Sequence, residues 1–94
     1  MIVLRIEHPV PDYNGWKKAF DGDPVDRKKS GVKSYRVYRP LDDPKYVIID
    51  LVFDNVSNAE TALAGLRKLW GVVEGKVMSN AQTKILEITE DKEY

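Results

Sequence analysis

The hydrophobic pattern along the chain switches several times between a period of two and a helical period. Ile2-Val3-Leu4-Arg5-Ile6-Glu7-His8 is β-branched and roughly alternating until Pro9 and Pro11, which lack the donor a ladder needs. This predicts a first strand. Asp12 offers a helix N-cap, and Tyr13, Trp16 and Phe20 recur at spacings of three and four, so a helix is expected over 12–21. Asp23-Pro24 has the form of a second cap with proline at the first helical position, predicting a short helix over 25–30 that Gly31 ends. Residues 32–39 alternate again, with Tyr35 and Val37 on one face and Arg36 and Tyr38 on the other, before Pro40 interrupts. Leu41-Asp42-Asp43-Pro44 is turn chemistry, and 46–53 reads as a third strand with Val47, Ile49, Leu51 and Phe53 on one face. Ser57-Asn58-Ala59-Glu60 matches the capping box and should open a long helix whose apolar face carries Ala59, Ala62, Leu63, Leu66, Leu69, Trp70 and Val73. Gly71 or Gly75 should end it. A loop over 78–82, a last strand over 83–89 and a charged tail complete the chain.

The order βα(short α)ββαβ, with right-handed crossovers, predicts an α+β fold of the ferredoxin-like, split-βαβ kind: a four-stranded antiparallel sheet with both helices on one face. Two helices cover only one side of such a sheet. The row Val47, Ile49, Leu51 and Phe53 is the natural helix side of strand three, matched by Ile2, Leu4 and Ile6 on strand one and by Leu86 and Ile88 on strand four. The other side then carries Val3, Arg5, Glu7, Arg36, Tyr38, Tyr46, Ile48, Asp50, Val52, Ile85 and Glu87, a mixture too apolar for open water and too charged for a dry core. Such a face can pack on a second copy, bind a partner or line a pocket. If two sheets stack through it, its charges must pair or stay wet, because an unpaired buried charge costs several kcal/mol.

Length and composition narrow the classes. Ninety-four residues fit one domain, and 43% hydrophobic against 32% charged suits a compact, soluble protein. Fifteen basic against fifteen acidic residues leave no net charge to steer nucleic acid or an anionic membrane to the chain. The absence of cysteine excludes a disulfide framework, zinc-thiolate sites and cysteine nucleophiles, and no stretch reaches membrane-span length, so a cytoplasmic location is expected.

Candidate chemistry starts from His8, the only histidine, at the end of strand one where a side chain can reach a pocket mouth. It could act as a general base or proton shuttle, or simply end a strand. With no second histidine and no His-x-x-x-His or Glu-x-x-His spacing, no metal site is expected, and no cofactor. Trp16 and Trp70 sit at helical spacing where tryptophans commonly pack a core. Arg27-Lys28-Lys29 with Lys33, Arg36 and Arg39 places six basic residues in thirteen without a carboxylate, a solvated surface or a receiver for an acidic ligand. RNA-recognition domains share the βαββαβ order, but residues 45–53 lack the glycines of such a strand and Asp50 would repel phosphate from the platform.

The βαββαβ order, the stretch His8-Pro9-Val10-Pro11-Asp12-Tyr13-Asn14-Gly15-Trp16, the strand within 31–39 and the helix end Leu69-Trp70 together resemble the dimeric α/β-barrel superfamily. The nearest likeness is to its antibiotic-biosynthesis-monooxygenase-like branch. The resemblance implies a homodimer in which two sheets form a barrel, with a pocket in each subunit between sheet and helices. It implies a fold shared by cofactor-independent monooxygenases, polyketide cyclases, haem degraders, isomerases and proteins without known activity. It also implies a tryptophan against the ligand in the place of Trp70. Trp70 and His8 are the expected catalytic residues, and Trp16, Tyr35, Arg36 and Tyr38 are expected near the pocket or its dimer-side rim. The chain departs from the haem-degrading branch, which places an asparagine on strand one and an iron-ligating histidine after the helix, where this sequence has Glu7-His8 and Met78-Ser79-Asn80. Two functions are therefore expected in competition. One is a small-molecule-binding protein, of the cofactor-independent monooxygenase or cyclase kind, for an apolar or aromatic metabolite. The other is a non-catalytic dimeric domain serving self-association or regulation.

Overall fold

The computed structural model describes residues 1–73 and 80–94. Four strands, β1 (Ile2–Pro9), β2 (Ser34–Tyr38), β3 (Tyr46–Phe53) and β4 (Gln82–Glu87), and two helices, α1 (Tyr13–Asp21) and α2 (Val56–Val73), follow the order βαββαβ. All pairings are antiparallel and the sheet order is β2-β3-β1-β4, the ferredoxin-like arrangement. Register places Ile2, Leu4, Ile6 and His8 opposite Phe53, Leu51, Ile49 and Val47. These two rows form the floor of the core, roofed by Ala59, Ala62 and Leu63 of α2 and by Trp16 of α1.

Helix α1 begins as its sequence predicts. Asp12 is extended and its Oδ2 accepts a hydrogen bond from Gly15 N at 2.8 Å, satisfying one of the orphan amides of the first turn. A Cβ on Gly15 would stand 3.1 Å from that same oxygen, so glycine keeps the cap close. Helix α2 starts two residues before the expected capping box. Asn55 is the cap, its Oδ1 accepting from Asn58 N at 2.8 Å, and Ser57 lies inside the first turn, where its carbonyl accepts from Thr61 Oγ1. An asparagine caps as well as a serine, and the earlier one wins because Val56 is already helical.

Two other expectations are corrected. Residues 25–30 form a run of turns, not a helix: Asp23 and Asp26 both adopt positive φ, near 50°, and the left-handed Asp26 breaks the helical path three residues in. Strand β4 presents its rows the opposite way round. Ile85 stands beside Leu4 and Glu87 beside Ile2 on the helix side, whereas Leu86 and Lys84 stand beside Val3 and Arg5 on the open side. The segment has apolar residues in both rows, so pairing with β1 decides the facing and hydrophobicity does not. The expected helix end at Gly75 and the start of the loop at Met78 lie outside the described residues.

On the open side the carboxylates of Asp50 and Glu7 find partners within the chain. Asp50, in the middle of β3 and 9% exposed, accepts from Arg5 Nε and Nη2 at 2.8 Å each and from Tyr38 Oη at 3.0 Å. Glu7 accepts from Tyr46 Oη at 2.6 Å, which pushes the phenol up to about 12. The Arg5 hydrogen bond holds the Asp50 carboxyl below its usual value against the opposing cost of burial, with Tyr38 and the charge of Arg36 adding to it.

Candidate functional site

A cavity of about 250 Å³ lies between the sheet and the helices. Its floor is Ile6, Ile49 and Leu51, its α2 wall Leu66, Leu69 and Trp70, and its α1 wall Trp16, Ala19 and Phe20, with Pro24 and Val25 from the following turns. Against this apolar lining, His8 and Arg27 are the two polar side chains among the described residues. Strand parity explains His8: two residues beyond Ile6, it falls on the helix side, and the end of β1 brings it to the cavity.

His8 is 2% exposed. Its Nδ1 lies 3.0 Å from the carbonyl of Pro9, and since a carbonyl can only accept, Nδ1 carries the hydrogen and Nε2 the lone pair. The ring meets Trp16 edge-on, centroids 6.0 Å apart. Burial pulls the imidazole below its ordinary value of 6.5, outweighing the Pro9 bond that favours the protonated form. At neutral pH the cavity therefore holds a neutral imidazole with one basic nitrogen.

The α1 wall is a stack of aromatics. Trp16 lies on Phe20 with centroids 5.1 Å apart, and Tyr13, outside the cavity, stands tilted to Trp16 at 5.9 Å, so helical spacing brings the three rings together. Arg27 closes the far end. Its guanidinium sits 4.0 Å from the centre of the Phe20 ring and 5.0 Å from that of Tyr35, donates from Nη1 to the Phe20 carbonyl at 2.8 Å, and faces Asp23 at 3.5 Å. Those contacts leave its side chain 15% exposed. On its outer side Arg27 also lines an open groove of about 660 Å³ with Lys28, Lys33 and Tyr35.

Of the residues expected from sequence, His8, Trp16 and Trp70 are brought together around the cavity. Tyr35 is on the helix side but stands outside the cavity, edge-on to Phe20 at 5.2 Å and against Arg27. Arg36 and Tyr38 face the other way, on the open side of the sheet with Asp50. The residue that sequence reasoning passed over is Arg27, read only as one member of a basic run. Bonds to Asp23 and to the Phe20 carbonyl turn this member inward, unlike Lys28 and Lys29, and no spacing in the sequence signals it. Among the described residues, no group of three His, Cys, Asp or Glu side chains could hold a metal ion. No described helix is long and apolar enough to cross a membrane.

No protein-family model matches the chain, and no curated protein matches it in sequence. Solved structures do. SnoaB, a cofactor-independent oxygenase from Streptomyces nogalater, superposes with a TM-score of 0.76 at 12% identity, over 96% of this chain and 94% of SnoaB. A protein from Deinococcus radiodurans described as an antibiotic biosynthesis monooxygenase gives 0.70 at 15% identity, over 100% and 98%. An MhuD variant with two manganese protoporphyrin IX molecules per active site gives 0.72 at 16% identity over the full length of both chains. At these identities the likeness speaks for the backbone alone, and it agrees with the topology described above: this chain has the ferredoxin-like fold of the antibiotic-biosynthesis-monooxygenase-like proteins.

Proposed function

We propose that the protein is a cytoplasmic homodimer that holds a small aromatic metabolite between sheet and helices and promotes its reaction with dioxygen without a cofactor. The observation that carries this reading is the pairing of an otherwise apolar cavity with a buried, neutral His8 whose Nε2 is the one basic nitrogen of the ring. A cavity of about 250 Å³ is smaller than the roughly 300 to 1,000 Å³ of drug-sized sites, which favours a ligand of one or two rings over a porphyrin.

The chemistry suited to such a site uses the substrate as its own reductant. His8 Nε2 accepts the proton of a phenol, and the phenolate gives its electrons to dioxygen. One oxygen atom bonds to the ring carbon para to the phenolate, the hydrogen on that carbon is lost, the O–O bond breaks, and the second oxygen leaves as water. One phenol and one dioxygen become one quinone and one water, so no outside electron donor is needed. Trp16 and Trp70 would flank the ring and keep water from the anion.

Self-association through the open sheet side is supported by the internal pairing of Arg5 with Asp50 and of Glu7 with Tyr46, which lowers the cost of covering these groups, and by a similarly folded neighbour described as dimeric. The test of function is aerobic incubation with 1-naphthol, following oxygen uptake and quinone absorbance. The expected result is turnover that falls at least about 100-fold in His8→Ala, the scale of a lost general base. Binding without oxidation would leave a ligand-holding protein. Absence of both would favour the non-catalytic dimer.

A further inference from the structure

We infer that the ligand is an acid, with its ring in the cavity and its carboxylate on Arg27. The inference rests on the cavity being a ligand site and adds the class of molecule that it takes. Arg27 lines both the apolar cavity and the open groove, so its side chain borders the two. An entirely apolar ligand would leave that guanidinium facing hydrocarbon, whereas an amphipathic one would meet each compartment with matching chemistry.

The geometry also selects the anion. The guanidinium lies against Phe20 and Tyr35 and meets the Phe20 carbonyl and Asp23 through Nη1, so Nε and Nη2 form the other edge with its donors. Two parallel donors in a fixed plane match the two oxygens of a carboxylate. Asp23, 3.5 Å from Nη1, offsets part of the positive charge and makes a singly charged group a better match than a phosphate dianion. Lys28 on the groove side, where Lys33 already pairs with Asp54 at 3.2 Å, would draw such an anion toward Arg27.

Isothermal titration of the full chain with 2-naphthoate and with 2-naphthamide tests this, because the two probes share a shape and differ in charge. The expected result is at least tenfold tighter binding of the acid, with the acid-to-amide ratio reduced to under twofold in Arg27→Gln. Arg27→Lys should keep part of the preference, and a melting curve for each variant checks that it is folded. If Arg27→Gln does not fold, the ratio of acid to amide in the unaltered protein and in Arg27→Lys decides. Equal binding of acid and amide would overturn the inference while leaving the cavity as a ligand site. Binding of neither would overturn the ligand-site reading and the inference with it.

Discussion

Arg5 and Asp50 stand directly opposite each other on β1 and β3, and the guanidinium grips the carboxylate side-on, Nε to Oδ1 and Nη2 to Oδ2, both at 2.8 Å. The pair is unequal: the Asp50 side chain is 12% exposed and that of Arg5 41%. Removing the arginine strands a nearly buried carboxylate, whereas removing the carboxylate releases a cation that water already reaches. Arg5→Met should therefore destabilise more than Asp50→Asn, by about 1 to 2 kcal/mol once the figure for a fully buried pair is discounted for solvent at Arg5. Urea unfolding of the two variants at pH 7 measures the difference. A larger loss in Asp50→Asn would mean that the carboxylate is stabilised from elsewhere.

The same carboxylate sets a pH dependence. Its folded-state value is held down, mainly by the Arg5 hydrogen bond, so its stabilisation is fully present above the unfolded value of about 3.9. It is lost as pH falls through the folded value. The unaltered protein should lose stability below pH 4 more steeply than Asp50→Asn. Parallel slopes in denaturation curves from pH 5 to 2.5 would contradict the assignment.

His8 acts in a higher window. Because burial lowers its value in the folded state, the unfolded chain binds more protons as pH drops below about 6.5, and stability falls from there down through the folded value. In His8→Gln that slope should vanish. An NMR titration of the imidazole gives the same answer directly, and a midpoint at or above 6.5 would remove the reason for regarding His8 as a neutral base at pH 7.

Ile48 lies on the open side of β3 between Glu7 and Tyr38. If two copies meet through this side, Ile48→Asp buries an unpaired charge at the contact and should convert a dimer to a folded monomer in sedimentation experiments. A dimer that survived the change would move the contact to another surface.

The cap of α2 separates two readings of one stretch. Asn55→Ala should cost about 1 kcal/mol, the usual loss at an N-cap, and Ser57→Ala close to nothing, since Ser57 is already within the helix. Thermal denaturation of the pair distinguishes them.

How far the sequence reveals the structure depends on whether a segment carries one pattern or two. Residues 46–53 put every large apolar side chain of one row on one face, and β3 folds as that alternation requires. Residues 83–89 carry Ile85, Leu86 and Ile88 in adjacent rows, and there only the hydrogen-bond register with β1 chooses the face. The stretch after Asp23-Pro24 has a helix start but also Asp26, whose left-handed conformation no spacing rule announces. The cavity was visible in part. Trp16 and Trp70 come from helical spacing and His8 from strand parity, but the inward turn of Arg27 arises from local bonds to Asp23 and Phe20 in an irregular segment, where periodicity carries no information.

The hydrogen bond from His8 to Pro9 has a consequence for variation and for engineering. The atom that sets the imidazole tautomer is a main-chain oxygen, and every amino acid supplies one. A mutation at position 9 that preserves the strand end leaves the acid–base character of the cavity in place. The neighbouring wall residues can then be exchanged to reshape the cavity without altering which imidazole nitrogen carries the lone pair.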